Sequence, residues 1–220
     1  VLGAADGSVL AVNYGDAIAH LPIVGPQRRV AVADGGTAID ACASLDGRVI
    51  AWLSSRGAVE AAPFEGDRVG AARTLLRAPD ATRLALDGAG RRLALAQGQE
   101  LSVVDVASGA VLRTVRGGGG RLLEVALSAD GAWLAGGAVD GVVWVWGPGD
   151  APRMIGAGHL ERVSGLAFDP GGSWLVSVGW DGVGLRWDLR DLDGDPTALT
   201  AALEARWGVG LDHATRADLR

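Results

Sequence analysis

Apolar residues in this chain come in short runs, each closed off by glycine, aspartate or both. Leu122–Leu127, Trp133–Gly136, Val142–Trp146 and Arg153–Ile155 are four such runs in succession. Runs this short, bounded by turn residues, predict strands rather than helices. Val142–Trp146 ("VVWVW") is apolar at every position, so both of its faces must be buried. A sheet with one wet face would alternate instead. The pair Asp-Gly occurs eight times, with its Asp at 6, 34, 46, 87, 130, 140, 181 and 193. Between two apolar runs it predicts a tight reversal, because glycine accepts φ > 0 and aspartate tolerates it.

The pattern repeats. "LSADGAWLAGGAVDGVVWVW" (127–146) lies over "FDPGGSWLVSVGWDGVGLRW" (168–187) at an offset of 41, so that Trp133 meets Trp174, Asp140 meets Asp181 and Trp146 meets Trp187. A further 41 back lies "LDGAGRRLALAQGQELSVVD" (86–105), one residue short at its turn, with Val104-Asp105 where Trp187-Asp188 stands. "SLDGRVIAWLSSRGAVEAA" (44–62) is an earlier copy, and "VLGAADGSVLAVN" at the start reads as the second half of one more. The stretch "GDAIAHLPIVGPQ" reads as an insertion in that first unit. A period in this range predicts a stacked repeat architecture. Four-stranded sheets stacked face to face bury both faces of their middle strands, which is the β-propeller solution. The unit boundaries fall near 1–37, 38–77, 78–117, 118–157 and 158–192.

Composition agrees with this and narrows the function. Of 220 residues, 49% are hydrophobic and 35 are glycine, which suits a buried, turn-rich all-β chain and not a disordered one. The net charge is −6, which argues against nucleic acid as a partner, since phosphate binding needs a basic surface. No apolar run has the length of a membrane-spanning helix. The lone Cys42 excludes an internal disulfide and fits a cytoplasmic setting. It lies in "AIDACAS", where it reads as a small buried residue.

The period, the Asp-Gly turns and the closing Trp-Asp resemble the WD40-repeat propellers over about residues 1–190. The resemblance implies an all-β propeller of four-stranded antiparallel blades, about five of them here, belonging to a seven-bladed ring. It also implies a structural tetrad in each complete repeat: a histidine before the first strand, a serine on the second, an aspartate in the turn and a tryptophan on the third. Only the last unit has all four, as His159, Ser177, Asp181 and Trp187. The unit before it keeps Asp140 and Trp146 but has Gly136 for the serine and a glycine run where the histidine would fall.

Several constellations suggest other chemistry, and each has a plainer reading. His159, Ser177 and Asp181 are the residue types of a hydrolase triad, but no GxSxG elbow surrounds Ser177. "RGGGGR" (116–121) could cradle phosphate, but "LLEVAL" after it reads as a strand and not a helix. "DLDGD" (191–195) alternates carboxylates as a calcium loop does, yet Pro196 and Ala202 stand where that loop needs Gly and Glu. No cofactor or metal site is expected. Turn-tip residues are the candidates for partner contact. Trp180 leads them, because an exposed tryptophan is a good interface anchor. Arg56, Gln99 and Val139 occupy matching turns, as does Ala5.

After Asp188 no apolar run supplies a fourth strand for the last unit; the resemblance implies that this strand comes from the start of a closed propeller. The chain therefore reads as part of a larger protein. Asp195-Pro196 opens a predicted helix over about 196–206 in the tail 193–220, with Leu199 and Leu203 on its apolar face. That tail resembles those of bacterial multidomain WD40 proteins, often fused to a kinase or NTPase. The expected function is a non-catalytic scaffold or sensory module that binds protein, not nucleic acid or membrane. The alternative is a propeller enzyme of lactonase or quinoprotein type, which needs acids or histidines converging on a central channel. Only His20, His159 and His213 are available for that.

Overall fold

The computed structural model describes residues 2–3, 9–12, 17–21, 28–31, 36–65, 68–148, 152–156 and 158–190. They form twenty strands: β1 (Leu2–Gly3), β2 (Val9–Val12), β3 (Ala17–Leu21), β4 (Arg28–Ala31), β5 (Ala38–Ala43), β6 (Val49–Ser54), β7 (Ala58–Glu65), β8 (Arg68–Val69), β9 (Arg73–Arg77), β10 (Ala81–Leu86), β11 (Arg92–Gln97), β12 (Glu100–Asp105), β13 (Val111–Arg116), β14 (Leu122–Leu127), β15 (Leu134–Ala138), β16 (Val143–Trp146), β17 (Pro152–Gly156), β18 (Val163–Phe168), β19 (Trp174–Gly179) and β20 (Gly184–Asp188). There is no helix among the described residues. The predicted helix over 196–206, the carboxylates of 191–195, and Ala5 lie outside them.

The strands pair in sequence order into five antiparallel sheets: β1–β4, β5–β9, β10–β13, β14–β17 and β18–β20. In the second sheet β7 is long enough to pair with both the short β8 and the outer β9. The first sheet corrects one expectation. The stretch 15–27 is not an insertion; it contains β3, which pairs with β2 and β4. The last sheet has three strands among the described residues.

In the second, third and fourth sheets the middle strands are buried on both faces and alternate residues enter different cores, whereas β19 in the last sheet alternates, with Val176 and Val178 exposed. On β11, Leu93 and Leu95 join Leu53, Val59 and Ala61 of the preceding sheet, while Ala94 and Ala96 join Leu122, Val125 and Leu134 of the next. On β16, Val143 and Val145 pack with Val163 and Leu175, and Trp146 faces the opposite way into the core shared with Leu101 and Val103. The three seams between the second and the last sheet are thus apolar layers filled from both sides. The first strands β5, β10, β14 and β18 run next to one another and line a shared cavity. Cys42 is buried among them, in the core shared with β10.

Among the described residues the Asp-Gly turns fall into two sets; those at Asp6, Asp34 and Asp193 lie outside them. Gly47 and Gly131 close the reversal between first and second strands, and Gly141 and Gly182 that between second and third; all four have φ of 70–81°. Asp87-Gly88 departs from the expectation. Its turn glycine is Gly90 (φ 67°), and Asp87 takes the anchoring place that Ser44 and Ser128 hold elsewhere, receiving the Arg91 N–H at 2.7 Å.

The second sheet has its own buried polar lock. Trp52 Nε1 donates to Glu60 Oε2 at 2.6 Å, directly across the β6–β7 pairing, and Thr74 Oγ1 donates to Oε1 at 3.3 Å. Trp52 and Glu60 are both fully buried. Trp52→Phe removes the donor and, because phenyl is smaller than indole, leaves a small void. It is expected to cost about 1–3 kcal/mol, because the carboxylate stays buried with less compensation. Urea unfolding of the full chain reads this directly; a loss under about 0.5 kcal/mol would show that the indole N–H is not what holds Glu60.

Candidate functional site

The last sheet brings His159, Ser177, Asp181 and Trp187 together. His159 precedes β18, Ser177 sits mid-β19, Asp181 is in the turn after it and Trp187 is on β20. Trp187 Nε1 donates to Ser177 Oγ at 2.9 Å, and His159 Nε2 lies 2.8 Å from the same oxygen. The serine is fully buried, so its own proton must go to Nε2. The imidazole proton is then on Nδ1, which faces Asp181 Oδ1 at 3.2 Å. Asp181 also receives the N–H groups of Leu160 (2.9 Å) and Val183 (3.1 Å). Desolvation pushes its carboxyl up, but those two N–H groups and the imidazole together hold it below the ordinary aspartate range.

The order aspartate, histidine, serine is that of a hydrolase triad. Burial assigns it a different role. Ser177 has no exposed surface, and its oxygen accepts the indole N–H where a nucleophile would meet substrate. The four residues tie the turn and the incoming loop to the middle of the sheet.

The preceding sheet solves the same problem without the hydroxyl or the imidazole. Gly136 faces Leu101 and Leu122, and a Cβ there would meet both at 3.0–3.1 Å. Trp146 Nε1 is buried without a partner among the described residues, as is Trp144 Nε1. The two indoles stack at 6.4 Å. Trp144 fills the room a histidine would take, since a Cβ on Gly118 would lie 3.1 Å from its ring. The glycine run then folds over Asp140, whose Oδ2 accepts the Gly120 N–H at 2.9 Å. "RGGGGR" is a loop pressed against a ring and a carboxylate, leading into β14.

The turns and loops at this end of the sheets carry the candidate contact residues. Trp180 is 62% exposed, with the Arg162 guanidinium 3.3 Å from its ring centroid and its N–H bonded to the Arg162 carbonyl. One ring face is therefore braced by the same sheet. Beside it Leu160, which sequence reasoning passed over, is 92% exposed. Its signal was its place directly after His159, where its N–H holds Asp181. Val139 is half-exposed, in a turn whose Gly141 abuts the carbonyls of His159 and Glu161. Arg56 is exposed in the matching turn of the second sheet. Gln99 is different: its amide donates to the Gly119 carbonyl at 2.7 Å and accepts from Arg116 at 3.0 Å, so it links neighbouring sheets.

A second site lies on the wall of the cavity lined by the first strands and went unnoticed in the sequence. Asp40, Arg83 and Glu124 occupy matching places on β5, β10 and β14, each just past a bulge in the pairing with the second strand. They line a cavity of about 370 Å³ together with Ala85, Ala126 and Phe168. Arg83 Nε pairs with Glu124 Oε1 at 3.3 Å. Asp40 Oδ2 accepts the Leu84 N–H at 2.7 Å. Burial raises both carboxyls above their ordinary values. For Asp40 the Leu84 N–H and Arg83 offset this only in part; for Glu124, Arg83 opposes it and the charge of Asp40 adds to it. No group of three histidine, cysteine or carboxylate side chains suited to a metal ion occurs among the described residues.

Consecutive antiparallel sheets whose first strands lie side by side define a run of β-propeller blades. Residues 109–147 and 152–188 match the family described as "WD domain, G-beta repeat", so these two repeats are WD40 repeats and the chain is homologous to WD repeat proteins. Each matched repeat begins on the outer strand of one sheet and ends on the third strand of the next, so consecutive sheets are covalently interlocked. The chain is 34% identical over 110 residues to transducin beta-like protein 3 of Bos taurus, covering 49% of this chain and 14% of that protein. It is 36% identical over 99 residues to an uncharacterized WD repeat-containing protein of Synechocystis, covering 44% and 28%. It thus spans under a third of either relative. Among solved structures, a chain in "Crystal Structure of Mitotic Checkpoint Complex" superposes with a TM-score of 0.67 at 17% identity, covering 84% of this chain and 62% of that one, which speaks to fold alone.

Proposed function

We propose that the chain is a non-catalytic protein-interaction module, the scaffolding or sensory part of a larger protein, and that it engages its partner through the turns around Trp180. The observation that carries this is the pair Trp180 and Leu160. Two large apolar side chains stand exposed on loops whose backbones are pinned by hydrogen bonds to Asp181 and Arg162. A pre-ordered aromatic anchor loses little entropy on binding, which is what an interface centre needs. Val139 and Arg56 extend the same face, and Gln99 acts as a strut beneath it. WD40 domains commonly bind proteins, and the solved neighbour named above is part of a protein complex. The net charge of −6 favours protein over nucleic acid as partner.

The enzyme alternative needs acids or histidines converging on the channel. The structure brings two carboxylates to the cavity lined by the first strands, Asp40 and Glu124, with an arginine between them and no histidine among the lining residues. That arrangement lacks a free acid–base pair and favours binding over chemistry.

The test is affinity capture of partners from a lysate of the source organism with the wild-type chain and with Trp180→Ala. The variant should lose roughly tenfold or more of the recovered partner, as interface anchors do. Its unfolding free energy should stay within about 0.5–1 kcal/mol of wild type, since the ring is mostly in water. Equal recovery by both proteins would remove this face as the binding surface.

A further inference from the structure

One register position on the outer strands is arginine in four of the sheets. Arg29, Arg73, Arg113 and Arg153 stand opposite Ala19, Ala61, Val103 and Val145 of the third strands. Each of those four third-strand residues stands in turn opposite an alanine of the second strand, so the row is the same row in every sheet. Arg73 and Arg113 do not bond within their own sheets at this row; they reach forward. Arg73 donates from Nη1 to the Ala107 carbonyl and from Nη2 to the Val106 carbonyl. Arg113 donates from Nη1 to the Gly147 carbonyl at 2.8 Å. Val106 and Gly147 are each the first residue after the third strand of the following sheet. The same place on one sheet therefore reaches the same place on the next, twice in succession.

We propose that this arginine is a strap between blades: it fixes the spacing of successive sheets at their outer rim by holding the turn that follows the next sheet's third strand. The acceptors are backbone carbonyls, so the contact survives while the turns themselves differ, as "VASGA" (106–110) and "GPGDA" (147–151) do. The guanidinium is a planar fork that can take two carbonyls at once, which a lysine ammonium does not match. Apolar packing does not do this work at the rim. Beneath Arg73 lies a cleft of about 490 Å³, lined by Ala61 and Pro63 from one sheet and by Val106 and Ala107 from the next. Facing walls across a cleft give up their dispersion contacts, so the guanidinium bridges the two sheets where their side chains do not meet. The carboxylate of Asp105, whose own hydrogen bonds go to Ser108, attracts the same guanidinium. Arg73 and Arg113 are positioning residues. They act at the end of the third strands opposite to the turn that carries Trp180, so the strap is independent of the interaction-module reading.

Amide hydrogen exchange of the full chain, read by NMR, tests the strap. The turn that Arg73 holds has three reporting amides: Asp105 donates to the Ala110 carbonyl, Val106 to that of Arg91 and Gly109 to that of Asp105. Arg73→Met keeps the aliphatic stem and removes the donors. Those three amides should then exchange roughly tenfold faster or more, while the amides of β7 and β9 in the arginine's own sheet stay within about twofold of wild type. Arg73→Lys keeps the charge without the fork and should fall between the two. In the next seam, Arg113→Met should shift the indole resonance of Trp133, whose ring lies against Gly147, and Arg73→Met should leave that resonance in place. Wild-type exchange of the 105–109 amides in Arg73→Met would overturn the proposal. So would equal acceleration in β7 and β9, because the arginine would then support its own sheet and not the next. Wild-type exchange in Arg73→Lys would overturn the fork as the reason for arginine. None of these readouts involves the turn of Trp180, so partner capture by Trp180→Ala stands or falls separately.

Discussion

Replacing His159 by alanine is expected to lower the unfolding free energy of the chain by about 2–4 kcal/mol. The imidazole is buried and bridges two groups that need it. Removing it strands the Ser177 hydroxyl proton in an apolar blade centre, which by itself costs about 1–3 kcal/mol. It also leaves a ring-sized void beside Ser177 and Gly179, and incomplete collapse of such a void adds roughly another kcal/mol or more. The loss should appear as a lower urea midpoint with an unchanged slope. Ser177→Ala should cost less than His159→Ala. It removes both partners' common oxygen but leaves little empty volume, and the imidazole keeps Asp181. Were the two variants to lose the same small amount, below about 0.5 kcal/mol, the four residues would be bystanders and the blade would be held by its apolar seams alone.

The architecture was legible because a repeat of 41 residues superposes chemistry that matters in every copy. Asp-Gly, the paired tryptophans and the unbroken "VVWVW" each state a local requirement, and the structure meets them in consecutive sheets. What the repeat hid was whatever differs from copy to copy. Asp40, Arg83 and Glu124 hold equivalent places on three strands, yet they are three different residues at offsets of 43 and 41. A search for identity passes over them; only the bulge shared by the strands shows that they belong together. Glu60 was hidden for another reason. An acid in "AVEAA" looks like a solvent-facing strand position, and nothing local reveals that Trp52, eight residues earlier, will supply its N–H from across the hairpin. β3 was misread because "AIAHL" lacks the closing Trp-Asp that marked strands elsewhere. Trp180 was found from its turn, but its brace, Arg162, lies on the far side of the pairing between β18 and β19.

The turns at Gly141 and Gly182 separate local strain from packing between blades, and they give the second large effect. Both glycines follow the aspartate of the turn, are 41 residues apart, and hold nearly the same backbone, with φ of 81° and 75°. Alanine at either position carries the left-handed penalty, about 1–2 kcal/mol. At Gly182 nothing lies within 4 Å of a new Cβ, so that penalty is the whole cost. At Gly141 the Cβ would lie 2.3 Å from the His159 carbonyl oxygen and 2.9 Å from that of Glu161, both on the loop entering the next blade. Backbone atoms cannot yield as a flexible side chain can, so the seam must open or the loop must move, adding about 1–3 kcal/mol. That loop also carries His159, whose hold on Ser177 and Asp181 should loosen. Gly141→Ala should therefore cost at least twice what Gly182→Ala does. It should also disturb the resonances of Leu160 and Trp180 in the neighbouring blade, while Gly182→Ala leaves those of the 139–141 turn in place. Equal losses from the two substitutions would mean that the blades do not press on one another at this turn. The exposed face around Trp180 would then lack the rigid support from which its role as an anchor was argued.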